Sequence, residues 1–254
     1  MPNHIGMTHP GLIRSVNEDC FGILEIGAEA CLYTVCDGIG GNAGGKEASA
    51  LALSSFSDFI LTQMRSLSHE EWNNLPLAQI KRIMRAAAVD ASRHVRAAAL
   101  AKPALAGMGS TLVSALVTPS RAYILNVGDS RLYTVSENGV EKITRDHSYI
   151  QYLIDVGRIS TEHARELNIQ NYITQAIGAY DHVDGDFCAL DLSTLDHSTY
   201  LLLCSDGLYS TVSEKQMQNI ILNQKKLSDK SKALIRAACD GGGHDNITAL
   251  LVEL

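Results

Sequence analysis

The chain has 254 residues, 46% of them hydrophobic and 19% charged, which is the composition of a folded globular protein and excludes intrinsic disorder. Lys and Arg number 21 against 28 Asp and Glu, and the resulting net charge of −7 would repel a phosphate backbone or an anionic lipid surface. We therefore expect neither nucleic acid nor a membrane as a partner.

No Pro-, Gly- or Ser-rich linker divides the sequence, so we predict one domain over residues 1–254. The N-terminus lacks the pattern of a secretory signal, and no window approaches the roughly 18–20 apolar residues of a membrane span. The six cysteines form no C-x-x-C pair and are expected to be reduced. These features predict a cytoplasmic protein, with a monomer as the default.

Nine short segments rich in β-branched and aromatic residues, with turn-forming residues between them, predict β-strands. They are residues 4–8, 20–26, 31–36, 111–118, 121–127, 131–136, 186–192, 199–204 and 246–254.

Six segments predict helices, two of them long, with apolar residues at three- and four-residue spacing. They are residues 46–67, 77–101, 148–156, 161–167, 213–222 and 228–239. Ser213 and Ser228 are the expected N-caps of the last two. Because the helices are grouped between runs of strands, the order indicates an α+β protein with antiparallel sheets covered by helices.

Six acidic residues stand at the ends of predicted strands, next to small residues. They are Glu18, Asp19, Asp37, Asp129, Asp206 and Asp245. A glycine at such a turn lets the backbone approach a ligand closely. One such Asp is ordinarily a turn or cap residue, but five turns of this kind favour a shared site.

If these strand ends converge, the carboxylates raise one another's pKa and need a counter-charge, which a divalent cation supplies. Oxygen ligands without paired His or Cys favour Mg²⁺ or Mn²⁺ over Zn²⁺. Six acids exceed what one ion usually binds, so we expect two or more ions. Two such ions about 3.5–4 Å apart can hydrolyse a phosphate ester.

Six short motifs occur in order along the chain. They are Arg14-x-x-Asn17-Glu18-Asp19, Asp37-Gly38-x-Gly40-Gly41, Gly107-Met108-Gly109-Ser110-Thr111, Gly128-Asp129-Ser130-Arg131, Cys204-Ser205-Asp206-Gly207 and Gly241-Gly242-Gly243-x-Asp245-Asn246. From about residue 4 to 254 the sequence resembles the metal-dependent serine/threonine protein phosphatases of the PPM (type 2C) family, in their compact bacterial form.

The resemblance implies a four-layer αββα sandwich, in which two mostly antiparallel sheets are flanked by helices and metals bind at one end. It also implies that Asp37 bridges two metal ions. Asp206 and Asp245 would complete the shell of the first ion, and the carbonyl of Gly38 would bind the second.

By the same resemblance, Glu18 and Asp19 would act through bound waters, and Asp129 with Asp206 would form a possible third metal site. Arg14 corresponds to the arginine that binds the substrate phosphate, and a guanidinium fork suits two phosphate oxygens. Arg14, Asp37 and Asp206 are thus the expected catalytic residues.

The implied activity is hydrolysis of phosphoserine and phosphothreonine in proteins by direct attack of a water or hydroxide that bridges Mn²⁺ or Mg²⁺ ions. Phosphorylated proteins would be the substrates, and a serine/threonine kinase would oppose the enzyme.

Residues 146–177 correspond to the flap over the site in bacterial relatives. Ile39 stands where many eukaryotic members have a histidine proposed to protonate the leaving alkoxide, so the resemblance assigns no acid to that step. His147 lacks metal-ligand spacing and is interpreted as a surface residue.

Two other functions are weighed. Residues 40–46, GGNAGGK, fit the P-loop pattern of nucleotide hydrolases, but Glu47 stands where that loop needs Ser or Thr for Mg²⁺. A non-catalytic phosphoprotein-binding module on the same fold is the second alternative, and it is disfavoured because Asp37, Asp206 and Asp245 are all present.

Overall fold

A computed structural model describes residues 2–28, 30–41, 43–65, 67–166, 172–180, 182–196 and 198–254. The strands are β1 (Asn3–His9), β2 (Asp19–Ile26), β3 (Ala30–Ile39), β4 (Gly109–Ser110), β5 (Leu112–Val117), β6 (Arg121–Val127), β7 (Arg131–Ser136), β8 (Gly139–Lys142), β9 (Asp186–Asp191), β10 (Tyr200–Cys204) and β11 (Ile247–Glu253). The helices are α1 (Ala43–Met64), α2 (His69–Asn74), α3 (Leu77–Ala101), α4 (Tyr149–Asp155), α5 (Thr161–Glu166), α6 (Asp206–Tyr209), α7 (Glu214–Asn223) and α8 (Leu227–Asp240).

The strands form two sheets. One has the order β1-β11-β10-β7-β8, and the other has the order β2-β3-β5-β6-β9 with β4 paired to β3. All the pairings between these strands are antiparallel. The predicted class of antiparallel sheets is therefore confirmed.

Three apolar clusters separate four layers of structure. The first joins α1 and α3 to the β2-β3-β5-β6 sheet, the second joins α7 and α8 to the other sheet, and the third lies between the two sheets. Both faces of strand β3 are apolar because each face packs against another layer. Leu32 and Cys36 face the helices, whereas Tyr33 and Val35 face the other sheet. The αββα sandwich is thus observed.

The predicted elements agree with the structure in most places. Helix α3 has the predicted bounds, and Ser213 caps α7 in a capping box with Gln216. The prediction for Ser228 was wrong, because α8 begins at Leu227 and its N-cap is Lys226, which makes no side-chain cap bond. Strands β4 and β8 and helices α2 and α6 were not predicted, since each is only two to six residues long. The last residue of the predicted helix 161–167 lies outside the described residues.

One end of the sandwich collects the residues of the motifs. The strand register pairs Asp19 with Asp37 across β2 and β3, and Cys204 with both Arg131 and Ala249 across β10. The turn before β2 therefore lies at the same end of its sheet as the end of β3, and the turns after β10 and before β11 share one end of the other sheet. A hydrogen bond from Ser205 Oγ to Asp19 Oδ2 joins these two ends.

The cluster between the sheets gives a stability prediction. Leu203→Ala should lower the free energy of unfolding by about 3 kcal/mol, because the fully buried side chain leaves a cavity. Urea denaturation measures this change. Leu77→Ala, at an exposed position on α3, is the control and should change stability by less than about 0.5 kcal/mol. Equal losses from both variants would contradict the assigned core.

Candidate active site

A pocket of about 270 Å³ lies at this end of the sandwich. Seven of the eight predicted site residues line it, and they are Arg14, Glu18, Asp37, Gly38, Asp129, Asp206 and Asp245. Ile39, Gly40, Gly41, Ile173 and Asn246 complete the lining. Five segments that are far apart in sequence thus bring their carboxyl groups into one small volume.

Asp37 is held by main-chain and hydroxyl contacts from Thr111, which lies between β4 and β5. Its N–H donates to Thr111 Oγ1 at 2.9 Å, and its carbonyl accepts from the Thr111 N–H at 2.8 Å. Thr111 Oγ1 in turn lies 2.7 Å from Ser130 Oγ. Asp37 lies two residues inside β3 and not at its end, so the strand itself fixes its position.

Gly38 must be a glycine because the first turn of α1 passes close to it. A Cβ atom there would lie 2.1 Å from the Gly45 carbonyl oxygen and 2.8 Å from that of Glu18. The Gly38 N–H donates to the same Glu18 carbonyl at 3.2 Å. The close approach places the start of α1 directly beside the pocket.

Asp19 is the predicted site residue that lies beneath the pocket and not on its wall. Its Oδ2 accepts hydrogen bonds from Ser205 Oγ at 2.6 Å and Thr248 Oγ1 at 2.7 Å. Burial raises the pKa of Asp19 to about 7, although these two hydrogen bonds act in the opposite direction.

Asn246 is a site residue that the sequence motifs included without a role. Its Nδ2 donates to the carbonyls of Pro10 and Val16, both at 2.9 Å, and its Oδ1 accepts from the Glu18 N–H at 2.8 Å. One buried amide therefore holds the whole turn between β1 and β2, which carries Arg14.

Arg14 stands at the exposed edge of the pocket. Its Nη2 donates to Asp245 Oδ2 at 2.8 Å, and both side chains are partly exposed. The other oxygen of Asp245 accepts from the Asn246 N–H at 2.9 Å. The guanidinium group is thus held beside the carboxyl groups, where it would meet an incoming anion.

The carboxyl groups of the pocket oppose one another electrostatically. Burial, followed by the charges of Asp19 and Asp206, raises the pKa of Asp37 well above its usual range. Burial and the charge of Asp245 raise the pKa of Asp206 to about 6. Burial and the charge of Asp206 raise the pKa of Asp129 to about 7. Several carboxylates cannot all ionise here at neutral pH without added positive charge.

The donor set fits divalent cations that prefer oxygen. Within the described residues, Glu18 Oε1 and Asp19 Oδ1 are buried without a hydrogen-bond partner, which is a costly arrangement for a carboxylate. No group of three or more His, Cys, Asp or Glu in that part of the chain is already arranged to hold an ion. Side-chain adjustment, main-chain oxygens and bridging waters would therefore be needed, as is common for Mg²⁺.

Residues 146–177 reach the pocket through Ile173. Ser148 bridges to Ile173 and Ser110 bridges to Ile177. Residues 167–171 of this segment lie outside the described residues.

The interpretation of His147 as a surface residue was wrong. Its side chain is 4% exposed, its Nδ1 accepts from the Gly128 N–H at 3.2 Å, and its Nε2 lies 3.2 Å from Asp186 Oδ2. Neither partner is near it in sequence, so its spacing gave no signal of burial.

The P-loop alternative is contradicted by the topology. Strand β3 pairs antiparallel with β2 and β5, whereas a P-loop follows a strand of a parallel sheet. Lys46 is exposed, and Glu47 forms an ion pair with Lys102 at 3.1 Å. Asn42 of that motif lies outside the described residues.

A larger cavity of about 640 Å³ lies at the opposite end of the sandwich, beside Val117 and Leu254. Asp196 is the one acidic side chain among its lining residues, so it lacks the donors that the smaller pocket provides.

The comparisons with known proteins agree with this geometry. The family described as Protein phosphatase 2C matches residues 14–238. The serine/threonine phosphatase stp of Listeria welshimeri is 36% identical over 97% of this chain and 93% of its own length. The crystal structure of the serine/threonine phosphatase Stp1 from Staphylococcus aureus has a TM-score of 0.87 and 30% identity, over 100% of this chain and 95% of that one. The chain belongs to the protein phosphatase 2C family.

The catalytic domain of the serine/threonine protein phosphatase PstP, whose structure contains two manganese ions, is a further relative. It has 28% identity and a TM-score of 0.77, over 99% of this chain and 97% of that one. The present protein is accordingly a metal-dependent serine/threonine protein phosphatase. Among the described residues of this phosphatase, no helix is long and apolar enough to cross a membrane.

The raised pKa values predict how pH affects the metal-free phosphatase. Asp129 has a pKa of about 7 in the folded protein, against about 3.9 when unfolded, so the folded state binds more protons between these values. Its contribution to stability therefore falls as pH rises through that range. In EDTA, the melting temperature of Asp129→Asn should therefore exceed that of the wild type, and the difference should grow from about pH 5 to about pH 8.

Thermal melts of both proteins measure this difference, with the exposed Asp58→Asn as the control. A constant difference in melting temperature between Asp129→Asn and the wild type across this pH range would contradict the assigned repulsion.

Saturating Mn²⁺ should raise the melting temperature of the wild type by mass action.

Proposed function

We propose that this phosphatase hydrolyses phosphoserine and phosphothreonine esters of proteins in the 270 Å³ pocket, with two Mn²⁺ or Mg²⁺ ions. The observation that carries the proposal is the convergence of buried, mutually repelling carboxyl groups beside one arginine. A dominantly electrostatic reaction, as phosphoryl transfer is, requires positive charge held at such a place.

We assign the metal ligands from the resemblance and the lining of the pocket. Asp37 would contact both ions, Asp206 and Asp245 the first, and the Gly38 carbonyl the second. Glu18, on the wall, and Asp19, beneath it, would act through water. The oxygen that each leaves unpartnered among the described residues supports this role.

Bound ions supply Lewis-acid activation of water and neutralise charge on the phosphate. Arg14 orients the substrate: its Nη2 bonds to Asp245, and the remaining N–H donors of a guanidinium fork suit two phosphate oxygens. Ile39 and Ile173 add apolar wall to the pocket, which limits the water that can compete for these contacts.

A third ion is proposed at Asp129 with Asp206. The charge of Asp206 contributes to the raised pKa of Asp129, which supports their closeness. Residues 146–177 are proposed as the flap of this site, because Ile173 belongs to both the segment and the pocket.

The wider assignments are proposals as well. We propose one phosphatase domain over residues 1–254 that acts as a cytoplasmic monomer on phosphorylated proteins, opposed by a serine/threonine kinase. The net charge of −7 supports the absence of nucleic acid and membrane partners.

The first test is phosphate release from a phosphothreonine peptide. Wild type with Mn²⁺ should turn over, whereas EDTA or Asp206→Asn should lower kcat by at least about a hundredfold, because both remove charge stabilisation of the transition state. Asp58→Asn, an exposed position on α1, is the matched control and should retain activity. A folded, Mn²⁺-loaded wild type that binds the peptide without turnover would favour the phosphoprotein-binding alternative.

The second test concerns Arg14. Arg14→Ala should lower kcat/KM by about tenfold to a hundredfold, since a charge-assisted hydrogen bond contributes about 1.5–3 kcal/mol. Arg14→Lys should recover only part of this loss, because a lysine cannot form the fork. Steady-state kinetics with Arg121→Ala as the control, an exposed residue at the opposite end, check the assignment. Unchanged kcat/KM in Arg14→Ala would refute it.

A further inference from the structure

The exposed large hydrophobic side chains of this phosphatase are unevenly distributed. Nine are exposed among the described residues, and they are Leu12, Ile13, Leu77, Leu100, Tyr149, Tyr152, Val156, Tyr172 and Tyr180. Two of them lie on α3. The other seven lie in the turn that carries Arg14 or in residues 149–180, which bring Ile173 to the pocket. Exposed apolar side chains grouped in the segments that reach a pocket are typical of an interaction site.

On one side of the pocket, Leu12 and Ile13 directly precede Arg14 and are 62% and 69% exposed. Their backbone is fixed, because the Leu12 N–H donates to the Gly243 carbonyl at 2.7 Å. The Leu12 side chain lies against Gly243, where a Cβ atom would come within 2.8 Å of Leu12 Cγ. Two apolar side chains are thus presented from an ordered turn next to the phosphate-binding arginine.

Tyr172, 72% exposed, directly precedes the pocket residue Ile173. Its carbonyl accepts from the Tyr149 N–H at 2.8 Å, and the Ile173 carbonyl accepts from Tyr180 Oη at 2.9 Å. This tyrosine is therefore also carried by a hydrogen-bonded stretch of chain. We call Leu12, Ile13 and Tyr172 the rim surface.

We propose that the rim surface binds apolar side chains that flank the phosphorylated residue of the substrate protein. This inference rests on the proposed function, because it places the phosphorylated residue in the pocket.

The size of the pocket argues for this occupant. About 270 Å³ accommodates a phosphorylated side chain and the ions but little more of a polypeptide, so the adjacent residues of the substrate must lie on the rim. The side chains of the rim surface that would contact these residues are aliphatic or aromatic. An apolar flanking side chain gains free energy there by burial, whereas a polar one does not.

The test compares two phosphothreonine peptides that differ only in the residues on both sides of the phosphothreonine, Leu in one and Ser in the other. With Mn²⁺, the wild type should show about tenfold higher kcat/KM for the Leu peptide, through a lower KM. Ile13→Ser, Tyr172→Ser and the double variant Leu12→Ser/Ile13→Ser should each reduce this ratio. The double variant, which keeps Tyr172, should reduce it further than Ile13→Ser alone.

p-Nitrophenyl phosphate provides the reference, since it has no flanking residues. Its turnover should be the same in the wild type and the rim variants, and Leu77→Ser, exposed on α3, should keep the peptide ratio of the wild type. A ratio near one in the wild type, or an unchanged ratio in all three rim variants, would overturn the inference while leaving the proposed function intact. If the wild type hydrolysed none of the three substrates, that result would contradict the proposed function, and the inference with it.

Discussion

Electrostatic repulsion among buried carboxyl groups is the constraint on which this structure depends. Asp37 in β3, Asp129 in the turn after β6 and Asp206 after β10 are drawn together, and burial together with their mutual charges raises the pKa of each. The arrangement opposes folding by itself, so the surrounding fold must compensate. It does so through apolar clusters on both sides of each sheet and between the sheets, where the side chains are almost fully buried.

Short hydroxyl side chains connect that apolar core to the acidic pocket. Thr111, between β4 and β5, supports Asp37 and is itself bonded to Ser130, while Ser205 and Thr248 hold Asp19 from the side of the other sheet. These hydroxyls are buried, so their hydrogen bonds form in surroundings of low polarity and fix orientation firmly. The pocket is therefore attached directly to the buried interior of the molecule, and both sheets contribute to it.

The sequence predicted the long elements and the acidic residues but not their supports. Periodicity over 25 residues defined α3, and carboxylates beside glycines marked the pocket, because both signals are local. The two-residue β4 is too short for any pattern, and His147 is buried by Gly128 and Asp186, which only the tertiary fold brings to it. Serine is a common N-cap residue, which is why Ser228 was predicted to cap α8. The helix nevertheless begins one residue earlier, at Leu227, because tertiary packing can override such local preferences.

The three hydrogen bonds of Asn246 have a consequence for affinity. They close the turn from Pro10 to Glu18 onto β11 in the folded protein, before any ligand arrives. The loss of backbone entropy in that turn therefore accompanies folding and is not repeated at each encounter with substrate. An arginine on a loose loop would bind the same anion more weakly, so a single amide far from Arg14 in sequence preorganises the recognition of phosphate.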